Sequence, residues 1–464
     1  MFDVKDWGAT GDGTSDDSAP IRHALSCVPP GGGEVYFPRG TYLVSRDGLN
    51  AWCLNLPDKV MLRGSGRGAT ILKLAPRQNK WARILSADSR SGITIRDLTI
   101  DGNKLGQTIA DCGEGSCEQQ HGLFLDVCSG TVIQNVAFRD NMGDSIYLHG
   151  NLQGNCTDTV ISGCLFSEGE RVHVHAHSFT NLAITGCHFL NSHGNHHIKQ
   201  ERGDSLLPES KGASVTGCTF DGDSASEGVE FAGYDTITQD ITVSGNVFRN
   251  LQRAVDIGRH TQGWCIVGNV IDNCMMGIQN YSYSETQHFD ANSHMQISGN
   301  LIRNLNPLIQ NGFPSHDTLP IFLSNCTVGS IHGNTVHAQR TFTGIKIAHC
   351  DKVSVNGNTI YVGTHDSQNY VSALVIYRSM NCSAVANLID LPAAQHPVGV
   401  LVGDDLNVSS NIIVQNKLIL GAANPAIMVD GITNPSIVTV IGNLAPSALA
   451  PNLSGPANPG HPFL

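Results

Sequence analysis

One short pattern recurs six times between Asp144 and Gln279, and it restricts this chain to a narrow set of folds. Ile146-Tyr147-Leu148-His149, Val172-His173-Val174-His175, Ile198-Lys199-Gln200-Glu201, Val229-Glu230-Phe231, Val255-Asp256-Ile257 and Ile278-Gln279-Asn280 each alternate apolar with polar side chains. A period of two is the mark of a half-buried strand. The first apolar residues stand at 146, 172, 198, 229, 255 and 278, giving steps of 26, 26, 31, 26 and 23. One strand per copy cannot bury its apolar face alone, whereas stacked copies can, so the pattern predicts an all-β solenoid of parallel strands. Stacked in register, the outward side chains form a column at about 4.8 Å per step. That column reads Tyr147, His173, Lys199, Glu230, Asp256 and Gln279.

A second repeat supports the stack. Gly-Asn or Gly-Cys followed by an apolar residue appears at Gly163-Cys164, Gly186-Cys187, Gly217-Cys218, Gly245-Asn246, Gly268-Asn269, Gly299-Asn300, Gly333-Asn334, Gly357-Asn358 and Gly442-Asn443. Asn135, Asn387 and Asn411 are expected to fill the same slot without the glycine. An asparagine at one turn per coil can satisfy backbone groups of its neighbours, and the three cysteines replace that polar ladder with a row of buried thiols. Near the start, Thr14-Ser15-Asp16-Asp17 reads as a capping run, and Ile21, Ala24 and Leu25 have helical spacing, broken at Pro29-Pro30. A short helix there would cover the open end of the first coil.

Solenoids grow by adding coils, so 464 residues are read as one long domain over 1–444, with cap and first strands in 1–45. Residues 445–464, rich in proline and glycine, form an extended tail. Charged residues make up only 15%, there are 50 glycines, and the formal net charge is -12. That balance suits tight turns and argues against nucleic acid as a partner. No apolar run of 18 residues exists, so no helix is expected to cross a membrane. The domain begins within a few residues of Met1 and leaves no room for a signal peptide, so the protein is intracellular or its leader has been removed. Of the fourteen cysteines, Cys112 and Cys117 are the close pair suited to a disulfide in an evident loop.

The string Asp3-Val4-Lys5-Asp6-Trp7-Gly8-Ala9-Thr10-Gly11-Asp12-Gly13-Thr14-Ser15-Asp16-Asp17, followed by Gly31 through Tyr42, resembles the opening of the pectate-lyase-like right-handed parallel β-helix superfamily. Leu62-Arg63-Gly64-Ser65-Gly66 and Ile95-Arg96-Asp97-Leu98-Thr99-Ile100-Asp101-Gly102-Asn103 most resemble secreted mannuronan C5-epimerases. The resemblance implies a single-stranded right-handed parallel β-helix, action on a polysaccharide, and secretion. Hydrolases, lyases, epimerases and phage tailspikes share the opening motif, so activity and oligomeric state, monomer or trimer, stay open. The epimerase motif carries Asp-Pro-His after Tyr-Gly-Phe. Here Gly143-Asp144-Ser145-Ile146-Tyr147-Leu148-His149 retains only the histidine, at His149, with Asp144 in place of the Tyr and Tyr147 in place of the Asp. That departure counts against epimerisation specifically and leaves acid–base work on an acidic sugar.

Two chemistries fit the column. In the first, C5 of a uronate polymer loses its proton before β-elimination, which requires a neutralised carboxylate and a base on one face. Lys199 is the expected neutraliser, held protonated by Glu230; His173 or His149 is the base; Tyr147 protonates the leaving oxygen. In the second, Glu230 and Asp256, about 4.8 Å apart on adjacent coils, form a glycoside hydrolase pair, with Glu201 and Glu227 as spare carboxylates. His175, Glu201, Arg202, Arg259 and Gln279 are expected to bind substrate beside the column, within loops 105–120, 202–211 and 281–294. Beyond Gln279 the column fades to Phe322, Lys346, Val375, Leu401 and Met428, which reads as scaffold. A third reading, glycan binding without chemistry, would draw on stacked aromatics, which are 6% of the chain. No cofactor is required. The clusters His173, His175, His177 and His193, His196, His197 make a metal site conceivable without completing a recognisable transition-metal spacing, and calcium is the other candidate, since an ion on such an acidic groove can bridge to a uronate.

Overall fold

The computed structural model describes residues 1–113, 115–193, 196–201, 207–233, 236–280, 292–305, 319–338, 343–363, 371–391, 397–403, 411–414, 416–420, 427–430 and 438–441. The tail expected over 445–464 lies outside them. The chain divides into two compact units, Met1–Gln239 and Asp240–Leu464. Each is a right-handed parallel β-helix built on three parallel sheets, to which a complete coil gives one strand each.

In the first unit one coil runs Val132–Gln134, Ala137–Arg139, Ile146–His149, and the next runs Cys156–Ser162, Leu165–Ser167, Val174–Ala176. The coils that follow close with His196–Lys199 and Glu227–Phe231. Strand alternation sends Ile146, Leu148, Val174, Ala176 and Ile198 into the interior, all fully buried. Phe138, Phe166, Phe189 and Phe220 stack along the interior, with centroids 5.2, 4.7 and 4.7 Å apart and planes within 5°. Each ring is in register with the next coil's ring, and burying a phenylalanine contributes roughly 1.5–3 kcal/mol. The thiols of Cys164, Cys187 and Cys218 form the expected row, each donating to a carbonyl of the preceding coil at 3.7 Å (Ile133, Ile161 and Ile184).

The first coil is covered by an α-helix, Ser18–Ser26, which buries Ile21, Ala24 and Leu25. Its Arg22 ties it down by donating to the Cys53 and Ser45 carbonyls at 2.8 and 2.7 Å. Asp17 does not cap the helix with its side chain; its carboxylate instead accepts the N–H groups of Thr10 and Gly11 at 2.7 and 3.0 Å. Cys112 and Cys117 are joined in a disulfide.

In the second unit the asparagine ladder runs through 246, 269, 300, 334, 358 and 387. Asn300 is typical: its Oδ1 accepts from Asn269 N and Nδ2, and its Nδ2 donates to Ile266 O and Asn334 Oδ1, all between 2.9 and 3.0 Å. Two expected members differ. The ladder continues to Asn416, not Asn411, which opens the strand Asn411–Val414. Asn135 occupies the position of Gly163, one residue before the slot, where φ is 54° and 58° respectively. Asparagine tolerates that left-handed backbone better than most residues, which explains the confusion of the two roles. The strand positions expected to form a column in this unit, Asp256, Gln279, Phe322, Lys346, Val375, Leu401 and Met428, are in register, but Gln279, Val375 and Leu401 are buried there.

Candidate active site

The third strands of the first unit carry the chemistry, in a register that differs from expectation. Tyr147 pairs with His175, His175 with Lys199, and Lys199 with Glu230. His173 therefore leaves the column and His175 enters it. Val174, not Val172, lies against Ile146, a step of 28 residues. His173 falls at the bend before its strand and is 0% exposed. Its Nε2 donates to the Leu190 carbonyl at 3.1 Å, its Nδ1 is 3.4 Å from Ser145 Oγ, and its ring stacks on His197 at 5.2 Å. Burial pushes its pKa down to about 4, which keeps it neutral.

Asp144 is the centre of the cluster. Its carboxylate is fully buried; Oδ2 accepts from His175 Nδ1 at 3.1 Å, and Oδ1 accepts from the Val172 N–H at 3.2 Å and lies 3.7 Å from Arg171 Nε. Burial works to raise its pKa, but the hydrogen bond from His175 and the charge of Arg171 outweigh it, so the carboxyl sits below its ordinary value. With Nδ1–H given to Asp144, His175 presents a lone pair on Nε2, a buried nitrogen with no hydrogen-bond partner among the described residues. Tyr147 stacks on the His175 ring at 4.4 Å and meets Phe124, His121 and His149 edge-on at 5.4, 5.1 and 5.6 Å. Burial pushes the Tyr147 phenol up, so it holds its proton. On its other side stands a second carboxylate-backed imidazole, His149, with Nδ1 2.9 Å from Asp126 Oδ1 and its ring stacked on His177 at 5.1 Å.

Besides Arg171, a second cation beside this cluster was not among the residues expected from the sequence. Arg83 lays its guanidinium on the Phe124 ring, 3.5 Å from the centroid, and donates to Gln119 Oε1 at 3.1 Å. It has no carboxylate within ion-pair distance among the described residues, and burial lowers its pKa to about 10, leaving it protonated at neutral pH. Lys199, by contrast, is engaged: its Nζ is 3.2 Å from Glu201 Oε2 and 3.9 Å from Glu230 Oε2.

Besides Lys199, Glu230 has a second and closer partner. His196 Nε2 is 2.8 Å from both Glu227 Oε2 and Glu230 Oε2. Burial works to lower the His196 pKa, but the two carboxylates win and raise it to about 9. Asp256, Arg259 and Gln279 belong to the second unit, so the expected Glu230–Asp256 pair is divided between units. There Asp256 Oδ2 accepts from Arg253 Nη1 at 3.0 Å, and Gln279 is 2% exposed with Nε2 donating to Met276 Sδ at 2.6 Å. Arg202 lies outside the described residues. Among the described residues, no group of three or more His, Cys, Asp or Glu is arranged to hold a metal ion.

Residues 1–193 match the family model described as rhamnogalacturonase A/epimerase, pectate lyase-like. That match covers less than half of the chain. Over 109 residues it is 42% identical to mannuronan C5-epimerase AlgE4 of Azotobacter vinelandii, covering 22% of this chain and 20% of that protein. Over 112 residues it is 38% identical to alginate lyase 7 of the same organism, covering 22% of this chain and 13% of that protein. The chain thus spans a fifth or less of the length of these two curated relatives. The N-terminal fragment of bacteriophage Phi29 gene product 12 superimposes with a TM-score of 0.63 at 16% identity, covering 96% of this chain and 71% of that one, a likeness of fold.

In the first unit one further set of residues obeys a rule of its own. Arg83, His121, Asp144, His196 and Glu227 each stand two residues before the first inward residue of a third strand, Leu85, Leu123, Ile146, Ile198 and Val229. They form a second titratable row beside the first, readable in the sequence once the register is right.

Proposed function

We propose that the first unit removes the C5 proton of a uronate residue in a polysaccharide and completes a β-elimination. The observation that supports it is the Asp144–His175 pair, whose hydrogen bond leaves an unpartnered Nε2 beside a protonated tyrosine. A base needs a nitrogen lone pair held in one orientation, and a buried carboxylate on the far nitrogen both fixes the tautomer and stabilises the imidazolium that forms. Arg83 faces the sugar carboxylate, where charge accumulates as the C5–H bond breaks. The electron pair forms the C4–C5 double bond, the C4–O bond breaks, and the Tyr147 hydroxyl protonates the departing oxygen. Proton transfer from His175, through solvent, restores both groups.

Relatives named for mannuronan epimerisation and for alginate lysis support a uronate polymer as the substrate class. The second imidazole, His149 on Asp126, favours one further reading. If it returned a proton to C5 before the C4–O bond broke, the outcome would be epimerisation. Hydrolysis is the weaker reading, because Glu227 and Glu230 are both committed to His196.

Purified protein on a panel of polyuronates should yield products absorbing near 232 nm. His175→Gln should slow that reaction by about 10²–10⁴-fold with the fold intact. Wild-type rates in that variant would remove His175 as the base. In D2O, deuterium at C5 of uncleaved polymer would select epimerisation instead.

A further inference from the structure

Two donors converge on one side-chain oxygen beside the proposed site. Gln119 Oε1 accepts from Arg83 Nη2 at 3.1 Å and stands 3.3 Å from His121 Nε2. The Asp144 peptide N–H donates to His121 Nδ1 at 3.0 Å, so the ring proton resides on Nε2 and points at Gln119. Burial pushes His121 down to about 3, which keeps that ring neutral. A continuous series of contacts therefore runs from Arg83 through Gln119, His121 and Asp144 to His175.

The segment that carries Gln119 is anchored on both sides. The Cys112–Cys117 disulfide closes it, Lys80 N donates to Cys112 O at 3.0 Å, and Gln120 Nε2 donates to the Gln78 and Asn79 carbonyls at 2.9 and 3.2 Å. Glu118, the next residue back, reaches Arg171 with Oε2 at 3.6 Å. Gln119 is thus held against Arg83.

A largely buried guanidinium needs acceptors, and a carboxylate would be the stronger one. A carboxylate at 119 would also cancel the charge. An amide oxygen of the same shape orients the guanidinium and leaves its charge in place. The geometry points to Gln119 as a specificity-determining residue: a neutral acceptor that aims Arg83 while reserving its positive charge for the carboxylate of an acidic sugar. This rests on the uronate reading given above.

The test is Gln119→Glu beside Gln119→Ala. Glutamate keeps the shape and accepts both hydrogen bonds, so a purely structural Gln119 would tolerate it. A charge-preserving Gln119 would not. KM for a polyuronate should rise about 10–100-fold in Gln119→Glu, the loss of one charge-assisted contact, and kcat should fall as well, because Arg83 also meets the charge that builds up as the C5–H bond breaks. Gln119→Ala should show a smaller rise. Unchanged KM in Gln119→Glu would overturn the assignment. Should the wild type convert no uronate polymer, the reaction reading fails by itself, and equilibrium binding of uronate oligomers decides this one. Weaker binding by Gln119→Glu than by wild type sustains it; equal affinity, or none in either, overturns it.

Discussion

His197 is the residue whose replacement reports most directly on how the coil beneath the site is held. It is 0% exposed, stacked on His173, flanked by Phe189 and Phe220 at 5.9 Å each, and neither ring nitrogen has a hydrogen-bond partner among the described residues. Burial drives its pKa well below 6.5. An unpaired buried polar group costs about 1–3 kcal/mol, so His197→Leu, which fills similar space without polar atoms, should stabilise the protein by at least about 1 kcal/mol at pH 7.5. The pH dependence adds a second signature. A histidine whose folded pKa lies below its unfolded one leaves stability intact above about 6.5 and withdraws it as pH falls, because the unfolded chain takes up the proton first. The slope is about 1.4 kcal/mol per pH unit per histidine, so between pH 6.5 and 5 the wild type should lose about 2 kcal/mol that the leucine variant keeps. His173, at about 4, and His121, at about 3, contribute acid limbs of the same sign in both proteins. Urea unfolding followed by circular dichroism at pH 7.5, 6 and 5 measures the difference. A constant gap between variant and wild type across that range would refute the claim that His197 is buried neutral.

His196 works in the opposite direction. Its folded pKa of about 9 lies above 6.5, so its contribution, on the order of 3 kcal/mol, is complete below pH 6.5 and vanishes as pH rises through 9; unfolding free energies at pH 7 and 10 should show the loss, and Glu227→Gln should shrink it. Asn300→Leu strands the Asn269 N–H and the Ile266 carbonyl inside the second unit, at about 1–3 kcal/mol each, and should lower the stability of that unit by several kcal/mol in chemical denaturation. If Arg83 neutralises the substrate carboxylate, chelation with EDTA should leave the rate at 232 nm unchanged; a loss restored by calcium would instead give that role to an ion bridging acid groups and uronate.

The solenoid was legible because two periodicities agreed. Strand alternation fixes which face each residue takes, and the Gly-Asn or Gly-Cys turn recurs once per coil, so Cys164, Cys187, Cys218, Asn269 and Asn300 fall where the sequence puts them. The register of the decisive strand was not legible, for a specific reason. Val172-His173-Val174-His175 offers two inward valines, and sliding the strand by two residues leaves every side chain on its face. Alternation is blind to that slip. What separates the two placements lies outside the strand, in the bend at Gly169–Arg171 and in the Leu190 carbonyl of the next coil, which receives the His173 proton. The same blindness hid Asp144. As a residue beside a motif it carries no periodic signal, and its significance comes from His175, 31 positions on, reaching back to it. Once Val174 is set against Ile146, the offset of two residues before each third strand places Arg83, His121, Asp144, His196 and Glu227 in one row. The acid–base content of the face then follows from a single corrected alignment: a cation on Phe124, a carboxylate-backed base on Tyr147, and a protonated histidine clamped between two glutamates. The one member that breaks the titratable row is the buried Val172, which contributes through its backbone: its N–H is donated to the Asp144 carboxylate at 3.2 Å, so the position serves the site without an ionisable side chain.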